Sequence, residues 1–151
     1  MAVDDSPTLI IGWREWLVLP DVGIPAIKAK IDTGARTSAL HTHDYTVFEE
    51  DGRERVKFHV HPVRHSVSEL ECVADVLDYR EVKDSGGHIE RRPFIETVVK
   101  AGDVEWAVHM SLTNREQMRF RMLLGRQALA AGGFFVDPQK SYYFGKPKIR
   151  P

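Results

Sequence analysis

Ala26-Ile27-Lys28-Ala29-Lys30-Ile31-Asp32-Thr33-Gly34-Ala35 is the stretch on which the reading of this chain turns. Ile27 and Ile31 alternate with Lys28 and Lys30, the period of a half-buried strand. That strand delivers Asp32 at its end, directly before a glycine turn. Thr33 carries a hydroxyl that can lock the turn, and Gly34 supplies backbone freedom and lets another chain approach closely. Taken alone, the four residues Asp32 to Ala35 also fit a plain strand-to-turn junction whose aspartate bonds its own backbone.

Far down the chain, Arg121-Met122-Leu123-Leu124-Gly125-Arg126-Gln127-Ala128-Leu129 is an apolar run that ends in glycine and opens into helix-favouring residues. With both runs in place, the chain resembles the retropepsin-like aspartic endopeptidases. Within them it is similar to a bacterial and archaeal family often labelled ATP-dependent zinc proteases. In some genomes that family accompanies the ATP-grasp ligase that adds glutamate to a ribosomal protein. The resemblance runs from about Leu9 to Gly145. It is carried by Gly12-Trp13-Arg14-Glu15-Trp16, Lys30 to His41, Ser85-Gly86-Gly87-His88, Arg92-Pro93, Leu112-Thr113-Asn114-Arg115 and Leu124-Gly125-Arg126.

The resemblance implies an all-β, retropepsin-like closed barrel with one short C-terminal helix. It gives Asp32 the catalytic role, Thr33 and Gly34 scaffold roles in the same catalytic loop, and Gly34-Ala35 a contact with the substrate backbone. Such peptidases use two carboxylates that share a proton: one takes a proton from the attacking water while the other donates to the scissile carbonyl. This chain has one Asp-Thr-Gly motif and no internal repeat. A C2 homodimer would supply the second aspartate, with the terminal strands as the expected interface.

Ser85, Gly86 and Gly87 stand in the order of the flap that covers the peptide groove, where paired glycines ease hinge motion. Turn chemistry alone reads the same residues as an ordinary surface hairpin. The stretch between His41 and this hairpin is longer than in the smallest viral retropepsins. Arg36 is a second departure, because viral relatives usually place an acidic residue there, paired with the arginine matched here by Arg126. Two arginines beside the groove would favour an acidic peptide through bidentate contacts. The competing expectation is a structural ion pair, for instance between Arg36 and Glu15.

The chain has 151 residues, 42% hydrophobic and 28% charged, which is the composition of one ordinary globular domain. Its net charge of −1 gives no electrostatic case for nucleic acid or an anionic membrane as partner, although a local basic patch is compatible with it. No apolar stretch reaches membrane-spanning length and no signal-peptide pattern opens the chain, so a cytoplasmic protein is expected. Cys72, the single cysteine, reads as a packed hydrophobe. Residues 1–8 and 146–151 are expected to be loose ends around a domain over 9–145.

Strands are expected at Leu9 to Ile11, Trp16 to Leu19, Ala26 to Ile31, Tyr45 to Phe48, Arg55 to His61, Leu70 to Leu77, Ile89 to Val99, Trp106 to Leu112, Phe134 to Asp137 and Ser141 to Phe144. One helix is expected from Arg126 to about Ala131, stopped by Gly132-Gly133.

Neither a His-Glu-x-x-His helix nor a phosphate-binding loop is present, so no cofactor is expected from motifs. His59 and His61 share a strand face and are the weak candidates for zinc, with His65 near them. Three readings follow: a homodimeric aspartic endopeptidase, a zinc-dependent hydrolase, and a catalytically silent regulatory module of the same fold.

Overall fold

The computed structural model describes residues 9–62, 69–83, 86–114 and 120–147. In chain order these form β1 (Leu9–Gly12), β2 (Arg14–Leu19), a 3-10 turn (Pro20–Val22), β3 (Ile24–Asp32), β4 (Ser38–His41), β5 (Asp44–Glu50) and β6 (Arg53–Val60). They continue with β7 (Leu70–Asp75), β8 (Asp78–Lys83), β9 (Ile89–Ala101), β10 (Val104–Thr113), β11 (Met122–Gly125), α1 (Arg126–Gly132) and β12 (Phe134–Asp137). Residues 1–8 and 148–151, with Ser85 and His65, lie outside the described residues.

Six strands close a barrel in the order β10-β4-β11-β3-β2-β9, with β9 pairing back onto β10. β8 hangs on the outer side of β9, β5-β6-β7 form a separate sheet, and β1 pairs in parallel with β12. Alternation explains the barrel wall. Leu17 and Leu19 of β2 and Ile27, Ala29 and Ile31 of β3 point inward, whereas Lys28 and Lys30 are exposed. Val56, Phe58, Val60 and Cys72 carry one face of the three-stranded sheet into the same apolar core, so the molecule has one core and one domain. Burial pushes the Cys72 thiol up to about 11, leaving it a packed and unreactive group.

The hairpin between β5 and β6 turns at Asp51 (φ 53°) and Gly52 (φ 77°), as the Asp-Gly signal predicts. α1 stops at Gly133, which takes the left-handed conformation at φ 74°. The structure adds two strands that the sequence does not announce and removes one that it does. β4 was not legible as a strand, because its four residues sit between the Asp32 loop and a polar turn. β8 was also missed, since Asp78-Tyr79-Arg80-Glu81-Val82-Lys83 is a largely polar strand with a pairing partner on one side only. Ser141 to Phe144 is not a strand. Tyr142 has φ 53°, which breaks extended geometry, and its N–H bonds the Arg14 carbonyl at 2.9 Å.

That C-terminal segment is held by a buried carboxylate. Glu15 is fully enclosed, accepts the Gly12 N–H at 2.7 Å and the Phe144 N–H at 3.3 Å, and is further bonded by the Tyr143 N–H. Gly12 is required beside it, because a Cβ there would lie 2.4 Å from the Lys140 carbonyl oxygen. Desolvation raises the Glu15 pKa against the opposing pull of these donors. A carboxyl raised in the folded state adds stability as the pH falls from its folded value toward its unfolded one. Glu15→Gln is expected to cost about 1–3 kcal/mol in urea titration at neutral pH, since an amide nitrogen would then face a backbone donor. The variant should also lose the wild-type gain in stability on mild acidification.

Candidate active site around Asp32

β3 ends at Asp32, whose neighbour Ile31 is fixed by donating to the Trp13 carbonyl at 2.8 Å. Asp32 is half-buried. Its Oδ1 accepts the Gly34 N–H at 2.9 Å, and its carbonyl accepts the Ala35 N–H at 3.2 Å. A Cβ at Gly34 would come within 3.2 Å of Asp32 Oδ1, so the close approach depends on glycine. Thr33 and Gly34 are exposed, leaving the rim of the loop open.

β11 is threaded between β3 and β4, parallel to the first and antiparallel to the second, and its register sets Gly125 beside Asp32. A Cβ at Gly125 would lie 2.5 Å from the Thr37 carbonyl oxygen and 3.0 Å from that of Ala35. Both obstacles are backbone, so no rotamer change relieves them. The Gly125 N–H instead bonds Ser38 Oγ at 2.9 Å. The first N–H groups of α1 bond the loop itself: Arg126 to the Ala35 carbonyl at 2.8 Å and Gln127 to the Arg36 carbonyl at 3.2 Å. Behind them Ser111 Oγ donates to the Ser38 carbonyl, and Arg92 donates to Ser111 Oγ, each at 3.4 Å.

Asp32, Thr33, Gly34, Ala35, Arg36 and Arg126 therefore belong to one loop-and-helix assembly. Gly86 and Gly87 lie in the exposed hairpin between β8 and β9, with Gly87 at φ 86°. Sequence reasoning gave Ser38 no role, yet it ties β11 to the loop; a hydroxyl six residues after the aspartate was the available signal.

Arg36 and Arg126 are exposed, and neither is ion-paired among the described residues. The expected Arg36–Glu15 pair is not formed. Glu15 is sealed in the interior, with its oxygens committed to backbone donors.

A sequence profile for the retropepsin-like aspartic endopeptidase RimB matches residues 10–147. The chain belongs to this RimB-like family. It is 43% identical over 138 residues to a protein of Shewanella halifaxensis named "Probable alpha-L-glutamate ligase", covering 91% of this chain and 30% of that one. A protein of the same name from Desulfotalea psychrophila is 45% identical over 135 residues, 89% of this chain and 29% of its own. The chain thus spans about 30% of the length of the curated relatives it matches, and the ligase name belongs to those longer proteins. A crystal structure of a Legionella pneumophila protein of unknown function (DUF785) superposes with a TM-score of 0.76 at 27% identity, covering 91% of this chain and 99% of the other.

For this RimB-like chain the zinc candidates fit poorly. His59 Nδ1 lies 2.6 Å from Asp44 Oδ1 and its Nε2 lies 3.4 Å from Glu71 Oε1, so both ring nitrogens already face carboxylates. His61 Nε2 is 3.8 Å from Glu69 Oε1. Among the described residues no group of three or more His, Cys, Asp or Glu side chains is disposed to hold a metal, short of the ligands a structural zinc needs.

The Asp44 hydrogen bond raises the His59 pKa, and the same bond lowers that of Asp44. The imidazolium therefore favours the folded hairpin below the ordinary histidine pKa, and the benefit fades as the pH rises through the folded value. In a proton NMR titration, His59 should titrate above the usual histidine range in the wild type. Asp44→Asn should bring it back down; an unchanged midpoint would break the assigned pairing.

Proposed function

We propose that the chain is an aspartic endopeptidase whose active site is completed by a second copy, one Asp32 from each subunit activating a water between them. The observation that carries this reading is the Asp32 loop. A single carboxylate is held by its own Gly34 N–H, backed by a glycine strand that nothing larger could replace, and rimmed by exposed Thr33 and Gly34. Such a rim suits contact with its symmetry mate across a two-fold axis.

Within the pair, one carboxylate is the base for the attacking water and the other, protonated, donates to the carbonyl oxygen; the roles exchange as the tetrahedral species collapses. Gly34-Ala35 contacts the substrate backbone in this reading. The hairpin of Gly86 and Gly87 acts as the flap. Phe135, 66% exposed on β12 beside β1, offers apolar area for the interface between terminal strands. Arg36 and Arg126, exposed and without carboxylate partners among the described residues, favour an acidic peptide. The glutamate-ligase name of the longer relatives supports the same preference.

Asp32→Asn should abolish hydrolysis of acidic peptides while leaving the circular dichroism spectrum and the oligomeric state unchanged, because the amide is nearly isosteric but cannot serve as base. Retention of most activity would refute the assignment. Specific activity should rise with protein concentration along the curve of a monomer–dimer equilibrium measured by sedimentation. Constant, maximal specific activity in a purely monomeric sample would refute the shared site.

A further inference from the structure

The charged side chains of this molecule are distributed in an uneven way. On the separate β5–β7 sheet the cations are matched: Arg53 and Arg55 with Asp75, Arg55 also with Glu50, and Lys57 with Glu71. On β8 and β9 the pattern is mixed, with Arg80 paired to Asp78 and Arg92 to Glu90 while Arg91 lies over the Tyr79 ring. On β2 and β3 the cations are not matched. Among the described residues, no carboxylate makes an ion pair with Arg14, Lys28, Lys30 or Lys146.

The register concentrates these cations. Arg14 stands directly opposite Lys30, and Trp16 directly opposite Lys28, in the antiparallel ladder of β2 and β3. Opposed residues share a face, and residues two apart along β3 share it too, so Lys28, Lys30 and Asp32 form one row. Lys30 is one pleat repeat, about 7 Å, from Asp32, and Lys28 is two. Like charges opposite each other weaken a sheet, and more cations crowd the same row. Lys28 Nζ and Lys146 Nζ lie 5.2 and 4.9 Å from the centre of the Trp16 ring. The Arg14 guanidinium and Lys28 Nζ lie 4.8 and 5.7 Å from the centre of the Tyr142 ring. Beyond Trp16 the row enters a shallow groove of about 400 Å³, lined by Val18, Lys100 and Phe144 among others.

We propose that this row, from Lys30 and Arg14 past Lys28 and Trp16 to Lys146, is a docking surface for an acidic polypeptide segment that leads toward Asp32. It rests on the reading of Asp32 as a peptidase centre and extends it beyond Arg36 and Arg126 to a second set of cations. The rings hold the ammonium and guanidinium groups in place by cation–π attraction, so that a carboxylate meets donors already positioned. The same arrangement disfavours single-stranded nucleic acid. That mode needs open aromatic faces on which bases stack, whereas Trp16 and Tyr142 each already lie near two cations of the chain itself.

The test uses the full chain carrying Asp32→Asn, so that peptide is not consumed, with a fluorescein-labelled ten-residue glutamate peptide read by anisotropy. Adding Lys28→Gln and Lys30→Gln together should raise its Kd about fivefold to tenfold and flatten the dependence of Kd on salt. The same pair of changes should leave the melting temperature equal or raised, because repulsion with Arg14 is relieved; a scaffold role would lower it. An unchanged Kd overturns the proposal, as does tighter binding of a single-stranded RNA of equal charge. Loss of peptide affinity in the lysine variant together with full hydrolysis by the Asp32→Asn chain would refute the peptidase reading and leave the docking surface standing. The reverse pattern would remove the docking surface alone.

Discussion

The contact on which the arrangement depends is the passage of Gly125 against the Asp32 loop. β11 can run between β3 and β4 only because the residue that meets the Thr37 and Ala35 carbonyls has no side chain. Everything local follows from that insertion. The strand delivers Arg126 and Gln127 so that their N–H groups bond the loop carbonyls, and Ser38 takes the Gly125 N–H. The loop is thereby held by backbone groups of a neighbouring element, the kind of support that places a reacting carboxylate within a fraction of an ångström. A β-carbon at position 125 would damage helix start, barrel wall and aspartate together.

A second constraint operates at the start of β2, β3's antiparallel partner. Glu15 is a carboxylate where a core residue would be cheaper in desolvation, and its compensation is three backbone donors from segments far apart in sequence. It ties the entry to β2 to the Tyr142–Gly145 turn. That turn carries Tyr142 to Arg14 and Lys28 and brings Lys146 over Trp16, so a buried acid positions a set of surface cations.

Much of this was legible in the sequence, for identifiable reasons. The alternation through Ile27 and Ile31 and the apolar run into Gly125 reported strands that are half-buried or central, and hydrophobic period is a strong signal for both. The Asp-Gly turn and the Gly132-Gly133 stop rest on backbone conformation, which residue type constrains directly. β8 stayed hidden because a strand paired on one side and wetted on the other carries little apolar pattern. The Ser141–Phe144 segment looked like a strand because aromatics favour strands, while the positive φ of Tyr142 follows from a tertiary bond to Arg14 that no local signal reports. The same limit applied to Arg36. An Arg36–Glu15 pair depends on a distance between side chains that no local pattern carries, and the burial of Glu15 is set by the fold.

The charge pattern on β2 and β3 is the part where local rules and the fold disagree. A sheet optimised for stability alone would place carboxylates opposite Lys30 and Lys28, as the β5–β7 sheet sets Asp75 opposite Arg55 and Glu50 opposite Arg53. Here the partners are Arg14 and Trp16. Cation–π contacts offset some of the repulsion while leaving the positive charge facing solvent, whereas a carboxylate would cancel it. Departures from local consistency that persist in an otherwise regular fold tend to lie at functional sites. The row beginning one pleat from Asp32 fits that rule, because charge left unneutralised in the free chain is charge available to a bound anion.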